Sequence, residues 1–415
     1  MRLPDHDFNI GAKHLLVPSV LGVCRIDETG SVSYSGETYI AVRSLKHNNS
    51  SAYSHQEDLM KAVKLFPDAF CVDGNGKPVL IKGVDGGPDE NPRFDKTINM
   101  AVKTFTDLGL DCYIEVTNAP GLSAYNKVER KMCPLSKALT GVVLPADSYG
   151  SHLQNGKTID EDLEVRNFKA AGEALASIWN ELVIDEYPCV AEFIENKPAE
   201  EVLNFQSSAM FRRDHVFETQ YLTAYLKCGN SDCCEPFRCK VESLFPHRQI
   251  PPQIPIEMGC CGPQALDLTK DLSDKDIKFA KFTERIVYGD KLVPDDVRSK
   301  YGLRVPYDLY VPTLKDKIEK RICKDCFKYH ATVKSLTAHK KVCSKKKRKK
   351  TSQAVSVFLT DESSSTDSSD DESILDQENL EIVAVRPTFS VVVADSFVEK
   401  IVDLKEWLKT PWEEV

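Results

Sequence analysis

Two hydrophobic rhythms run along the first 150 residues. Short apolar runs at 14–24, 37–43, 78–84 and 112–117 read as strands. Between them, 54–66 and 93–108 read as helices, and a further helix carries Glu129. Beyond residue 150 the period lengthens. Leu163, Phe168, Ala171, Leu175, Ile178, Trp179 and Leu182 recur at helical spacing, which predicts a long amphipathic helix over 159–184 with Trp179 in its core stripe. Phe217, Tyr221, Leu222 and Tyr225 predict another helix over 211–228. Pro251, Pro252 and Pro255 obstruct regular hydrogen bonding and make 246–255 a loop. Near the end, 390–393 reads as a strand and 397–408 as a helix, and no internal repeat stands out.

With 415 residues, 41% of them apolar, the chain is long enough for two or three domains with separate cores. No apolar run reaches the roughly 18 residues of a membrane span, and the first residues do not compose a secretory leader. The expectation is a soluble intracellular protein with no membrane partner. Fourteen cysteines in such a compartment are reduced thiols, and their clustering points to metal rather than disulfides.

The formal charge of -9 says less than its distribution. Residues 315–350 hold fifteen Lys or Arg against three acids, whereas 361–378 hold eight acids and no base. Lys345, Lys346, Lys347, Arg348, Lys349 and Lys350 form an unbroken cationic strip. Such a strip serves as a nuclear import signal read by an import receptor, and as a phosphate contact to DNA. The serine-rich acidic block reads as a solvated, disordered tract.

Two motifs carry carboxylates. Residues 83–91 (GVDGGPDEN) place Asp85 at the end of the strand at 78–84, and 118–130 (NAPGLSAYNKVER) place Glu129 in the opening turn of a helix after the strand at 112–117. Two acids so placed can share a divalent ion. The alternative readings are a strand-ending turn for Asp85 before Gly86 and Gly87, and a solvated helix face for Glu129 beside Arg130 and Lys131. Motifs and element order together resemble the core of DDE transposases and retroviral-type integrases, with Lys127 where that family has proline. The resemblance implies an RNase H-like fold over 1–150 and Mg2+ or Mn2+ held by Asp85 and Glu129. It also implies a first strand bearing a first acid. Asp5 and Asp7 are the nearest candidates, but Pro4 disfavours a central strand there, so the core is expected to lack that strand and its activity to be lost or impaired.

Cys323, Cys326, His339 and Cys343 have the spacing of a zinc finger whose last histidine is replaced by cysteine. Leu336 stands where two-Cys two-His fingers place their core leucine, and His330 where they place phenylalanine, leaving His330 as a possible competing ligand. By the same resemblance, Thr332, Ser335 and Ala338, with Lys334 beside them, would face DNA bases. None is an arginine, asparagine or glutamine capable of a bidentate base contact. A second candidate site comprises Cys228, Cys233, Cys234 and Cys239, with Cys260, Cys261 or His247 as later ligands. Adjacent cysteines do not easily share one ion, so Cys233 and Cys234 are alternatives there, and buried free thiols remain an equal reading.

The expected architecture is therefore an α/β, RNase H-like mixed sheet with flanking helices over 1–150 and a mostly helical, cysteine-bearing domain over 151–312. A ββα finger follows at 313–343, then a basic-to-acidic disordered linker at 344–377 and a short strand and helix at 378–415. The expected function is nuclear DNA binding, weak and mainly through phosphates, by a transposase-derived protein with structural zinc, and a homo-oligomer is compatible with it. The alternative is a non-enzymatic zinc-finger adaptor that keeps the fold as a scaffold.

Overall fold

The computed structural model describes residues 8–9, 15–25, 32–117, 128–155, 157–219, 221–239, 255–259, 262–265, 278–280, 317–351 and 391–392. These residues form a mixed α/β fold built on two five-stranded sheets. In the first, β1 (Phe8–Asn9) pairs with β2 (Leu15–Gly22), which pairs antiparallel with β3 (Thr38–Ser44). Helix α1 (Ala52–Leu65) follows, opened by a capping box in which Ser51 and Ser54 satisfy each other's backbone N–H groups. In the second sheet, β4 (Val79–Val84) and β5 (Cys112–Thr117) lie parallel, joined by the crossover helix α2 (Asp95–Asp107).

Helices α3 (Glu129–Ala138) and α4 (Glu161–Asn180) come next, the latter capped by the Asp160 carboxylate on the Leu163 N–H. The short β6 (Val183–Ile184) leads into β7 (Tyr187–Phe193), which lies parallel to β3 and extends the first sheet. Helix α5 (Ala209–His215) then runs into β8 (Val216–Glu218) and β9 (Leu222–Leu226), and β9 pairs antiparallel with β5.

The segment expected to be mostly helical thus contributes strands to both sheets, pairing across residue 150 with strands on its N-terminal side. The helix expected over 211–228 ends at His215. All five residues of β9 are buried, because the strand is flanked by β5 and β8, so its apolar run carries no strand-like alternation and reads equally well at helical spacing.

Burial on both faces also explains the composition of β3. Tyr39 and Ala41 face a core shared with Leu59 of α1, Ile98 and Phe105 of α2, Leu80, Tyr113 and Tyr225, so one core spans both sheets. Ile40 and Val42 face the opposite way, onto Met132 and Leu135 of α3 and Phe168, Leu175 and Trp179 of α4. Charges inside this frame are paired. The Arg43 guanidinium grips Asp58, and Lys82 on β4 meets its register partner Glu115 on β5 at 2.8 Å.

Three further strands, β10 (Pro255–Gly259), β11 (Gly262–Ala265) and β12 (Lys278–Phe279), form a small antiparallel sheet. A single turn of 3-10 helix at Glu319–Arg321 precedes a bridge between Ile322 and Tyr329 and the long helix α6 (Val333–Thr351). The hairpin of the expected ββα unit is reduced to that one bridge. The linker expected from residue 344 begins as helix, since lysine and arginine are good helix formers and favour a helix C-terminus. Finally, β13 (Val391–Val392) pairs antiparallel with β4, within the strand expected at 390–393. Of the loop expected at 246–255 only Pro255 is described, and it opens β10, where proline is tolerated as the first residue of a strand; the rest of that loop and the expected helix at 397–408 lie outside the described residues.

Candidate metal centres

Among the described residues, two groups of ligand atoms lie mutually within 4.8 Å: Cys323, Cys326, His339 and Cys343, and His215, Cys228, Cys233 and Cys234. All six cysteines of these groups are free thiols, so each group can hold a metal ion.

In the first group the turn between the cysteines is built by backbone. The Cys323 N–H donates to the Lys328 carbonyl at 2.9 Å, the Phe327 N–H donates to the Cys323 carbonyl at 2.8 Å, and Phe327 takes the left-handed conformation with φ 58°. His339 and Cys343 are four residues apart on α6 and share its face. The Cys326 Sγ lies 3.2 Å from His339 Nε2. Burial and the neighbouring charges of His330 and Lys328 lower His339 to about 4, so at neutral pH its ring is uncharged and carries a lone pair for a cation. Burial resists ionisation of Cys323, but backbone N–H groups of Asp325 and Cys326 bring its thiol below the ordinary value. Burial, followed by the thiols of Cys326 and Cys323, pushes Cys343 up to about 12. A crowded set of this kind releases protons when a cation enters.

The second group closes around the end of α5. His215 is fully buried, and its Nδ1 lies 2.8 Å from the Leu226 carbonyl oxygen. Donation from Nδ1 fixes the tautomer and leaves Nε2, 3.2 Å from Cys233 Sγ, as the ligating nitrogen. Gly229 has φ 73°, and the N–H groups of Cys233 and Cys234 both donate to the Asn230 carbonyl, which folds the loop back on Cys228. The Cys228 and Cys234 sulfurs are 3.9 Å apart.

This ligand set differs from the sequence expectation in two ways. Cys239 is not in the group: its N–H donates to Asp111 Oδ2 at 2.9 Å, and His215 supplies the fourth ligand atom. The adjacent Cys233 and Cys234, expected as alternatives, both bring their sulfurs into it, because the tight turn at Asn230 bends the backbone around a common centre. His215 was missed because it lies thirteen residues before Cys228, a separation with no ligand-spacing signal, and only the pairing of β8 with β9 brings the two together. Cys260, Cys261 and His247 lie outside the described residues.

His330, expected as a competing ligand, is in neither group. Its Nδ1 bonds the Glu218 carboxylate of β8 at 2.7 Å, and the Ser335 hydroxyl donates to the same carboxylate. Lys328 Nζ donates to the carbonyls of Arg212 and Arg213 in the last turn of α5 at 3.2 and 3.0 Å. The finger is therefore fastened to the core through α5 and β8, the elements that also deliver His215. The helix positions expected to face DNA bases, Thr332, Lys334, Ser335 and Ala338, line a cavity against the core.

The carboxylate pair is placed only in part. Asp85 follows β4 and accepts the Gly87 N–H at 2.9 Å, the geometry of a side-chain-stabilised turn, and it belongs to neither ligand group. Glu129 opens α3, but its side chain lies outside the described residues, as do Asp5 and Asp7. The face beside Glu129 is not wholly solvated: Lys131 is fully buried, its Nζ donating to the Gly36 carbonyl at 2.6 Å and to Thr38 Oγ1 at 2.9 Å. Glu90, on the same loop as Asp85, is buried, and burial followed by the charge of Asp85 raises its carboxyl well above the usual range.

No protein-family model, no curated protein and no solved structure matches the chain. No helix of the described residues is long and apolar enough to cross a membrane.

Proposed function

We propose that the chain is a zinc-dependent nuclear protein that binds nucleic acid through phosphate contacts. Its α/β core is RNase H-like and of DDE-transposase type, and it serves as a scaffold whose strand-transfer activity is lost or impaired. The observation that carries the reading is the composition of one element. Helix α6 supplies His339 and Cys343 to the first ligand group and continues without interruption through Lys345, Lys346, Lys347, Arg348, Lys349 and Lys350. A metal ion there holds the root of a cationic arm against the core. At about 1.5 Å per residue, six consecutive bases occupy roughly 9 Å of helix.

Zinc fits both groups because thiolate-rich sets with imidazole favour a soft-accepting, tetrahedral ion over Mg2+ or Ca2+. Its role is structural: four protein ligands leave no open position. Mg2+ or Mn2+ at Asp85 and Glu129 has no such support, since Asp85 belongs to neither ligand group and the Glu129 side chain lies outside the described residues.

The inward-facing finger favours one feature of the adaptor reading. With Ser335 bonded to Glu218 and Lys334 and Ala338 lining a cavity walled on its other side by the core, the helix face that such fingers turn to base edges looks toward the core, so sequence-specific readout by this finger is not part of the proposal.

The test is a titration of the zinc-loaded full chain with duplex DNA over a range of salt. Affinity should be weak, insensitive to sequence and steeply salt-dependent, and it should fall when the six bases become glutamine. Salt-independent binding, or binding unchanged by those substitutions, would refute the phosphate-contact reading. Incubation with supercoiled DNA and Mg2+ or Mn2+ should leave it intact; nicking abolished by Asp85→Asn and by Glu129→Gln would restore the enzyme reading.

A further inference from the structure

A cavity of about 380 Å³ separates the finger from the core, within the size range of pockets for small organic ligands. Its apolar wall includes Phe94, whose ring lies 4.8 Å from the Arg93 guanidinium, together with Ile98, Val216 and Ala338. Its polar equipment is of three kinds. Arg93 and Lys334 form no ion pair among the described residues, and Arg93 Nε is buried without a hydrogen-bond partner. The other lining cations are engaged: Arg212 with Asp95, Arg213 with Asp214, and Lys328 with the α5 carbonyls.

The second kind is the start of α2, a 13-residue helix whose N-cap, Phe94, contributes no side-chain hydrogen bond to the first-turn N–H groups. The third is His330. It is 3% exposed, its Nδ1 is held by Glu218, and its Nε2 is buried with no partner while the ring lines the cavity. A buried ring nitrogen left unmatched costs free energy that a ligand hydrogen bond recovers.

We propose that this cavity binds a nucleoside monophosphate unit. The phosphate is taken by Arg93, Lys334 and the α2 N-terminus, the base lies on the apolar wall, and a hydrogen-bonding group of the base or sugar reaches His330 Nε2. A phosphate with a planar, largely apolar body answers both halves of the lining, whereas an acidic peptide side chain satisfies the cations and leaves the wall uncovered. The choice of a nucleotide over other aromatic anions rests on the nucleic-acid reading above: the same helix that supplies Lys334 and Ala338 runs on into the basic strip, where neighbouring phosphates can follow. Because the finger forms one side of the cavity, the site exists only while the first metal group is intact.

Calorimetry with the zinc-loaded full chain tests this, using deoxyadenosine 5′-monophosphate, deoxyadenosine and inorganic phosphate as separate probes. The nucleotide should bind at least about tenfold more tightly than either part. Lys334→Glu, at an exposed position, should weaken it about tenfold with metal content unchanged. Ala338→Trp should fill the cavity and abolish binding. Phosphate alone binding as well as the nucleotide, displacement of the nucleotide by a glutamate-rich peptide, or full binding in both variants would overturn the proposal. A 5′-phosphorylated single-stranded oligonucleotide that binds more tightly than the free nucleotide identifies nucleic acid as the source of the unit, and equal affinity identifies the free nucleotide. Duplex binding that persists in a chain without nucleotide binding rejects this site alone; loss of duplex binding in the variant lacking the six bases, with the nucleotide still bound, separates the two sites and supports it.

Discussion

His215 and Cys239 are a residue-scale test of the second metal group. The zinc-loaded chain should carry two ions; His215→Asn or Cys326→Ser should each remove one, and Cys239→Ser should remove none. Elemental analysis after gel filtration reads the count, and loss of zinc in Cys239→Ser would return that residue to the ligand set. The buried ion pairs offer a second test. Asp58→Asn strands the 2%-exposed Arg43 guanidinium and should cost about 3–5 kcal/mol in urea unfolding. The third is pH. Burial opposes ionisation of Asp89, but the hydrogen bond and charge of His55, 2.9 Å away, bring it down to about 2. Burial likewise opposes charging of His55, yet Asp58 and Asp89 raise its pKa. The Asp89 contribution is present above the ordinary carboxylate value of about 3.9 and is lost as pH falls toward about 2. The His55 contribution is complete below about 6.5 and is lost as pH rises through the raised value. Melting temperature should therefore peak between about pH 4 and 6.5 for this pair. The peak should flatten in Asp89→Asn, and an unchanged profile in that variant would dismiss the pair as a contributor.

At the scale of elements, the contact of α4 with β7 is governed by Gly172. A Cβ there would stand 2.1 Å from Phe193 Cδ2, so the ring occupies the space a side chain would need. Alanine normally gains up to about 1 kcal/mol over glycine inside a helix. Here the overlap should outweigh it, and Gly172→Ala should destabilise by about 1–3 kcal/mol, measurable by thermal unfolding. The seam between α5 and the finger depends on Lys328 in a comparable way. Lys328→Gln withdraws a cation from the last carbonyls of α5 and should cost about 1 kcal/mol. It should also speed proteolysis between the core and residue 333; an unchanged cleavage rate would mean that the seam is held by Glu218 alone.

The described residues form a core spanning two sheets and a metal-binding module fastened to it by α5 and β8. Since His215 belongs to α5 and the finger packs on the same helix, the two metal groups share a support. Chelation should lower the melting temperature of the full chain in more than one step, or release the finger to proteases before the core unfolds, as followed by limited proteolysis with and without a strong zinc chelator. Replacing the six bases of α6 by glutamine should reduce the slope of log affinity against log salt by up to about 5 on duplex DNA, because each phosphate neutralised contributes about 0.9.

Local sequence alone was sufficient for elements whose pattern is local. The strands at 14–24, 37–43, 78–84 and 112–117 correspond to β2, β3, β4 and β5 because each is bounded by breaking residues. The stripe through Leu175 and Trp179 gives α4, and the spacing of Cys323, Cys326, His339 and Cys343 suffices for one metal group because a knuckle and a helix turn are short-range geometry. What only the tertiary structure decided depends on contacts distant in sequence. Strand β7 lies beside β3 across about 150 residues, and β9 reads as helix until β5 and β8 enclose it. His215 becomes a ligand candidate, Glu218 turns the finger inward and His330 becomes a cavity wall for the same reason. In each case the deciding partner lies on a different element, and periodicity along one element carries no information about which other element will cover it.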